Sequence, residues 1–221
     1  MFLLRSAGLR EYPILSSGAV CQWLILPLMI DRTQTILYLF EVQRLFVALL
    51  LPEPQLSQLA LLQAGLPGAR WVPPEKFHMT VRFIGEVEDY LVEDIAQALG
   101  ELEVKDFQVQ LEGVGVFDPG NRPRSLWAAV KDHAPLSALH EKCNQALRRL
   151  DVMEERRKYL PHVSLARFVD VHHDRLIQYL QGNGDFSAPP FWAGEFYLLR
   201  SHLTRHGAVY EIVEEYPLLP N

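Results

Sequence analysis

Two stretches of the chain repeat one arrangement of groups that can move protons. One reads Lys76-Phe77-His78-Met79-Thr80-Val81-Arg82-Phe83, the other Tyr159-Leu160-Pro161-His162-Val163-Ser164-Leu165-Ala166-Arg167-Phe168. Each holds a histidine, an apolar residue, a hydroxyl residue and a second apolar residue. Side chains two apart on a strand share a face. His78 and Thr80 therefore point one way while Met79 and Val81 point into a core, and His162 and Ser164 likewise oppose Val163 and Leu165. Each strand offers one group that titrates near neutral pH and one hydroxyl that can hydrogen-bond an anionic oxygen. Such a set suits a displacement in which one imidazole takes a proton from attacking water, the other protonates a leaving oxygen, and the hydroxyls stabilise the added charge. That chemistry requires neither a metal nor a covalent intermediate.

The bare H-x-[ST] form is weak, because His202-Leu203-Thr204 is a third copy. It lies against an expected turn and lacks the trailing Arg-Phe of the other two, so it reads as a hairpin position. Arg82 shares the face of His78 and Thr80 and can grip a phosphate. Arg167 falls opposite His162 under strict alternation, so a bulge or strand end must turn it round for the same task. Phe46, Trp127 and Tyr197 can stack on a base, with core packing the plainer reading, especially for Phe46. Asp170-Val171-His172-His173-Asp174 resembles a ligand cluster. Adjacent histidines at a helix start do not easily face one ion, and Asp174 reads as an N-cap, so no metal is expected. His133, His140 and His206 have no partners of interest in sequence. Phosphate-loop, nucleophile-elbow and zinc-helix motifs are missing.

The elements that must position these residues follow from periodicity and punctuation. Strand-like runs cover residues 45–50, 77–84, 125–130 and 160–169, and helical patterns cover 55–64, 89–99, 135–150 and 174–180. Residues 107–117 alternate, with Gly113-Val114-Gly115 marking a bend or bulge, and Gly85 closes the strand that carries His78. Residues 191–201 and 208–213 flank a turn and read as a closing hairpin. This order predicts an α+β fold of two similar lobes, each an antiparallel sheet with helices packed outside, related by a pseudo-twofold around a central cleft. On α-helical spacing, Leu136, Leu139, Cys143, Ala146 and Leu150 form one apolar stripe.

The chain has 221 residues and a net charge of -6, which argues against a protein that coats long nucleic acid. Two cysteines, Cys21 and Cys143, make no C-x-x-C pair, so a reducing, cytoplasmic setting is expected. The apolar stretch from Ala19 to Ile30 is shorter than the ~20 residues of a spanning helix. It also lacks a clear signal-peptide cleavage site. No membrane association is expected.

Read at greater length, the chain resembles the 2H phosphoesterase superfamily, and within it the RNA 2′,3′-cyclic phosphodiesterases, also called 2′-5′ RNA ligase-like proteins. The resemblance runs from about Arg44 to Leu218. It is carried by Arg44-Leu45-Phe46-Val47-Ala48 with Leu51-Pro52, by the His78 block ending Phe83-Ile84-Gly85-Glu86, by Leu126-Trp127-Ala128, by the His162 block, and by Arg200-Ser201 with Gly207-Ala208-Val209-Tyr210-Glu211. The family more often has Thr where this chain has Ser164, and the hydroxyl survives. The resemblance implies that His78 is the proton donor and His162 the acceptor, with Arg167 at the phosphate-contacting position. It further implies that the product keeps a 2′-phosphate, no cofactor is used, and the substrate is an RNA 3′ end or a small cyclic nucleotide. A monomer is expected. Residues 1–42 have no counterpart in the family pattern and read as an extension or as sequence upstream of the start that is used, with the phosphoesterase domain spanning 43–221. A ligase working on 2′-5′ linkages, a non-catalytic nucleotide-binding module and chance core strands stay open as alternatives.

Overall fold

In a computed structural model the described residues are 25–30, 34–39, 42–120, 122–153, 155, 157–205 and 207–221, with only the backbone described for the first two segments. Cys21, His206 and the start of the apolar stretch at Ala19 lie outside them. Within the expected extension, Ile25–Ile30 (β1) and Gln34–Leu39 (β2) pair antiparallel as a two-stranded sheet of their own. Sequence periodicity did not reveal these strands, although Ile25, Ile30, Thr35, Ile36 and Tyr38 favour extended chain.

The remaining elements are Val42–Leu50 (β3), Glu53–Leu61 (α1), Ala69–Trp71 (β4), His78–Glu88 (β5), Leu91–Gly100 (α2), Phe107–Val109 (β6), Leu111–Phe117 (β7), Ser125–Val130 (β8), Ala134–Arg148 (α3), His162–Phe168 (β9), His173–Gly182 (α4), Phe191–Ala193 (β10), Glu195–Thr204 (β11) and Gly207–Pro217 (β12). The main sheet runs β12-β11-β3-β5-β9-β8-β7, with β4 also paired to β9, and β6 pairs with β10. The architecture is the expected α+β arrangement of antiparallel sheet and outer helices. Its two halves, β12-β11-β3-β5 and β4 with β9-β8-β7, meet at a single residue pair, Met79–Val163. The halves are not consecutive in sequence, since the C-terminal hairpin returns to pair with β3.

Alternation decides what each face of the sheet carries. Leu45, Val47 and Leu49 of β3, Met79 and Val81 of β5, and Val163 and Leu165 of β9 are buried in one core with Leu59, Ile95, Leu99, Leu136, Leu139, Cys143 and Leu176 from the four helices. The opposite face carries a second, small cluster of Phe46, Ala48, Tyr197 and Leu199. The expected stripe on α3 is buried from Leu136 to Ala146, with Asn144 and Leu147 added and Leu150 at its margin. Gly85 does not end its strand. It adopts φ 93° where the β3–β5 register shifts, and β5 continues to Glu88, because a glycine at positive φ lets a bulge turn the strand without breaking it. His172, not Asp174, is the N-cap of α4. Among the described residues, no helix is long and apolar enough to cross a membrane.

Candidate active site

The Met79–Val163 pair fixes the site. Both side chains are fully buried, so their neighbours, His78 and Thr80 on β5 and His162 and Ser164 on β9, emerge on the opposite face. Antiparallel geometry about that pair sets His78 across from Ser164 and Thr80 across from His162. The two motifs are thus exchanged by a local pseudo-twofold through the seam.

The histidines are held alike. His78 Nδ1 donates to the Lys76 carbonyl at 2.9 Å, and His162 Nδ1 donates to the Leu160 carbonyl at 2.8 Å. Because a carbonyl only accepts, each ring carries its proton on Nδ1 when neutral, leaving Nε2 as the nitrogen for proton transfer. Each ring is also walled by aromatic edges. Phe46 and Tyr210 lie 5.1 and 5.0 Å from His78, and Phe117 and Trp127 lie 4.9 and 6.0 Å from His162, between centroids. Burial pushes both imidazoles below the ordinary 6.5, opposed by the carbonyl bonds, and the charge of His162 lowers His78 further.

A cleft opens over this face, lined by His78, Thr80, Ser164, Arg167, Phe46 and Tyr210 among others. Among the described residues, Arg167, Lys76 and Arg44 bring cations to it, the last paired with Glu86 at 2.9 Å. Sequence reasoning missed Lys76, Tyr210 and Phe117. Lys76 lies two residues before His78, on the cleft side of a strand start. Tyr210 arrives from β12 through tertiary pairing and left no local signal.

The two arginines of the motifs part company. In β5, Thr80 pairs with Ala48 and Arg82 with Val47, so Val81 is an extra residue. In β9, Ser164 pairs with Trp127 and Ala166 with Leu126, so Leu165 is extra. Each bulge resets the alternation one step after the hydroxyl. Arg167 is thereby turned onto the cleft face, as its expected role required. Arg82 is turned the other way. It is 1% exposed and donates to Asn144 Oδ1 and to the carbonyls of Phe83 and Met153. The expectation that Arg82 shares the face of His78 is therefore corrected, and the residue that does reach the cleft from β5 is Phe83. Counted from each histidine, Phe83 is the counterpart of Arg167, so the matched Arg-Phe flanks are offset by one position.

Of the aromatic candidates, Phe46 packs in the cleft wall, and Trp127 sits beside His162 over Gly115, where an added Cβ would lie 2.3 Å from its ring. Tyr197 is 7% exposed, belongs to the small cluster beneath Phe46 and bonds Glu195, so it packs the floor and does not line the cleft. His202 is on the other sheet face, with Arg200, and bonds Glu211 at 2.8 Å, which removes the third H-x-[ST] copy from the site. Among the described residues, no three His, Cys, Asp or Glu side chains are grouped to hold a metal ion.

The comparisons with known proteins join this geometry to a family. The family description LigT like Phosphoesterase matches residues 49–127. A protein of Aeropyrum pernix named RNA 2′,3′-cyclic phosphodiesterase is 30% identical over 158 residues, which cover 71% of this chain and 89% of that one. The chain belongs to the LigT-like phosphoesterase family. A Methanocaldococcus jannaschii protein of the same name is 28% identical, over 78% of this chain and 99% of its own. The crystal structure of a Thermus thermophilus protein superposes with a TM-score of 0.66 at 25% identity, covering 80% of this chain and 99% of that chain. The structure of Escherichia coli LigT complexed with 3′-AMP superposes with a TM-score of 0.67 at 23% identity, over 80% and 99%, and shows the same fold.

Proposed function

We propose that the cleft opens 2′,3′-cyclic phosphates at RNA ends or on nucleotides, by two-histidine acid–base catalysis without a metal. The observation that carries this reading is the matched pair of imidazoles on either side of the Met79–Val163 seam, each locked by an Nδ1–carbonyl bond with Nε2 available, beside Thr80 and Ser164, with Arg167 in the cleft that His78, Thr80 and Ser164 line. The names of the relatives support it. His78 protonates the leaving 3′ oxygen and His162 takes the proton of the attacking water, so the product is a 2′-phosphate. Thr80 and Ser164 bind the non-bridging oxygens, and Arg167 offsets their charge. Trp127 offers a ring face to a flanking base, whereas Phe46, 4% exposed and packed against His78 and Tyr210, shapes the wall. The same reading takes residues 43–221 as the catalytic domain and the chain as a cytoplasmic monomer.

Incubation of the purified protein with a nucleoside 2′,3′-cyclic phosphate in EDTA, followed by identification of the product, tests it. A 2′-monophosphate forms, and His78→Ala or His162→Ala each lowers turnover by about 10²- to 10⁴-fold. Dependence on added metal, or full activity in either variant, sinks the mechanism.

A further inference from the structure

The two bulges are equivalent, but their exposed backbone is satisfied differently. Val81 and Leu165 each sit three residues past their histidine, and each is skipped in the pairing of its strand, with β3 and β8 respectively. In β9 the Leu165 carbonyl accepts the backbone N–H of Val72 at 2.8 Å, just beyond β4. In β5, past the single pair with β9, no strand among the described residues fills that place. The Val81 carbonyl accepts His140 Nδ1–H from α3 at 2.7 Å instead. The adjacent Thr80 carbonyl accepts the Tyr159 hydroxyl at 3.3 Å, and the Phe83 carbonyl is taken by Arg82. The His140 and Tyr159 rings stack with centroids 4.1 Å apart and planes 1° from parallel.

The hydrogen bonds run in one direction. Arg82 donates to Asn144 Oδ1, Asn144 Nδ2 donates to His140 Nε2 at 3.0 Å, and His140 Nδ1 donates to Val81. Arg82 has only donors, so it fixes the Asn144 amide, which fixes the His140 tautomer, which fixes the bulge.

We propose that His140, with Tyr159 stacked on it, is a positioning residue for the cleft: its side chain replaces the strand that β5 lacks, holds the bulge at Val81, and so aims Thr80 and His78 at the substrate. His140 reaches no cleft atom and acts through the strand. The sequence hid it as a lone histidine, although His140 and Asn144 lie one turn apart beside the apolar stripe of α3.

The proposal rests on the phosphodiesterase reading only for its kinetic arm. His140→Leu removes the donor, His140→Asn returns an amide N–H near the Nδ1 position, and Tyr159→Phe keeps the stack without the hydroxyl. His140→Leu lowers kcat roughly 10- to 100-fold, as displacement of reacting groups by about 1 Å does, while KM moves far less. His140→Asn recovers most of kcat, and Tyr159→Phe falls between. In ¹H–¹⁵N spectra the His78 ring nitrogens and the Thr80 amide shift in His140→Leu and return in His140→Asn. The spectral arm decides the matter even if the wild type opens no cyclic phosphate, and Tyr159→Phe carries the test if His140→Leu does not fold. The proposal is overturned if a folded His140→Leu or Tyr159→Phe keeps wild-type kcat and unmoved His78 and Thr80 resonances, or if His140→Asn is no better than Leu.

Discussion

A methyl group added at Gly115 meets the indole of Trp127 at 2.3, 2.5 and 2.8 Å. Carbon atoms settle at about 3.5–4.0 Å, so the ring must move by an ångström or more. Trp127 has little room to yield, since it is paired with Ser164 in register and flanked by Phe117, 5.3 Å away. Overpacking of this kind costs about 1–3 kcal/mol, and the reduced freedom of the unfolded chain returns about 0.4–1 kcal/mol. The net loss for Gly115→Ala is about 1–2 kcal/mol, or a Tm lower by roughly 2–8 °C in a domain of this size. The displaced ring presses on His162 and its neighbour Phe117, so kcat for cyclic-phosphate opening falls about tenfold or more. Gly194→Ala is the control, because nothing lies within 4 Å of its added methyl, and it stays within about 0.5 kcal/mol of wild type. Differential scanning calorimetry and initial-rate kinetics on both variants are sufficient. An unchanged or raised Tm with wild-type kcat in Gly115→Ala would refute the packing argument.

The two arginines give opposite phenotypes. Arg167→Ala weakens substrate binding and turnover at nearly unchanged Tm, whereas Arg82→Ala leaves buried acceptors unpaired and costs about 2–4 kcal/mol of stability; an equal effect on both quantities in the two variants contradicts their placement. The pH dependence has a fixed sign. Burial lowers both site histidines below 6.5, so as pH falls through that value the unfolded chain binds more protons and the fold loses stability, a loss complete below the folded values. By the same shift the alkaline limb of kcat/KM, set by the imidazole that must be protonated, falls on the acid side of 6.5, while bound phosphate moves the kcat limb upward. A kcat/KM that stays level between about pH 6 and 8 argues against this assignment.

Much of the site was legible because period-two alternation is local. It placed Met79 and Val163 in the core and His78, Thr80, His162 and Ser164 on the other face, and the structure has them so. What alternation cannot report is where it resets. The bulges at Val81 and Leu165 depend on the register of β3 and β8, strands distant in sequence, and this is why Arg82 was assigned to the wrong face while Arg167 needed a turn that a single strand does not reveal. β4 escaped notice for a related reason: Ala69–Trp71 is three residues long and takes its strand geometry only by lying along β9. Gly85 read as a stop because glycine marks ends and bulges alike. Tyr210 became a neighbour of His78 only when the C-terminal hairpin closed on β3.

A cleft with perfect twofold symmetry would hold a cyclic phosphate in two poses, each histidine serving as acid in one and base in the other, and would yield a mixture of isomeric products. This cleft is not symmetric. Arg167 stands on one side where Phe83 stands on the other, and Tyr210 crowds His78 while Phe117 crowds His162. Arg44 and Lys76 come from the β3–β5 side and Arg167 from β9, so charge is placed unequally about the seam and gives an asymmetric ligand a preferred heading. On the proposed mechanism, regiochemical choice resides in these unmatched neighbours, and exchanging Phe83 for a cation is expected to shift the ratio of the isomeric products.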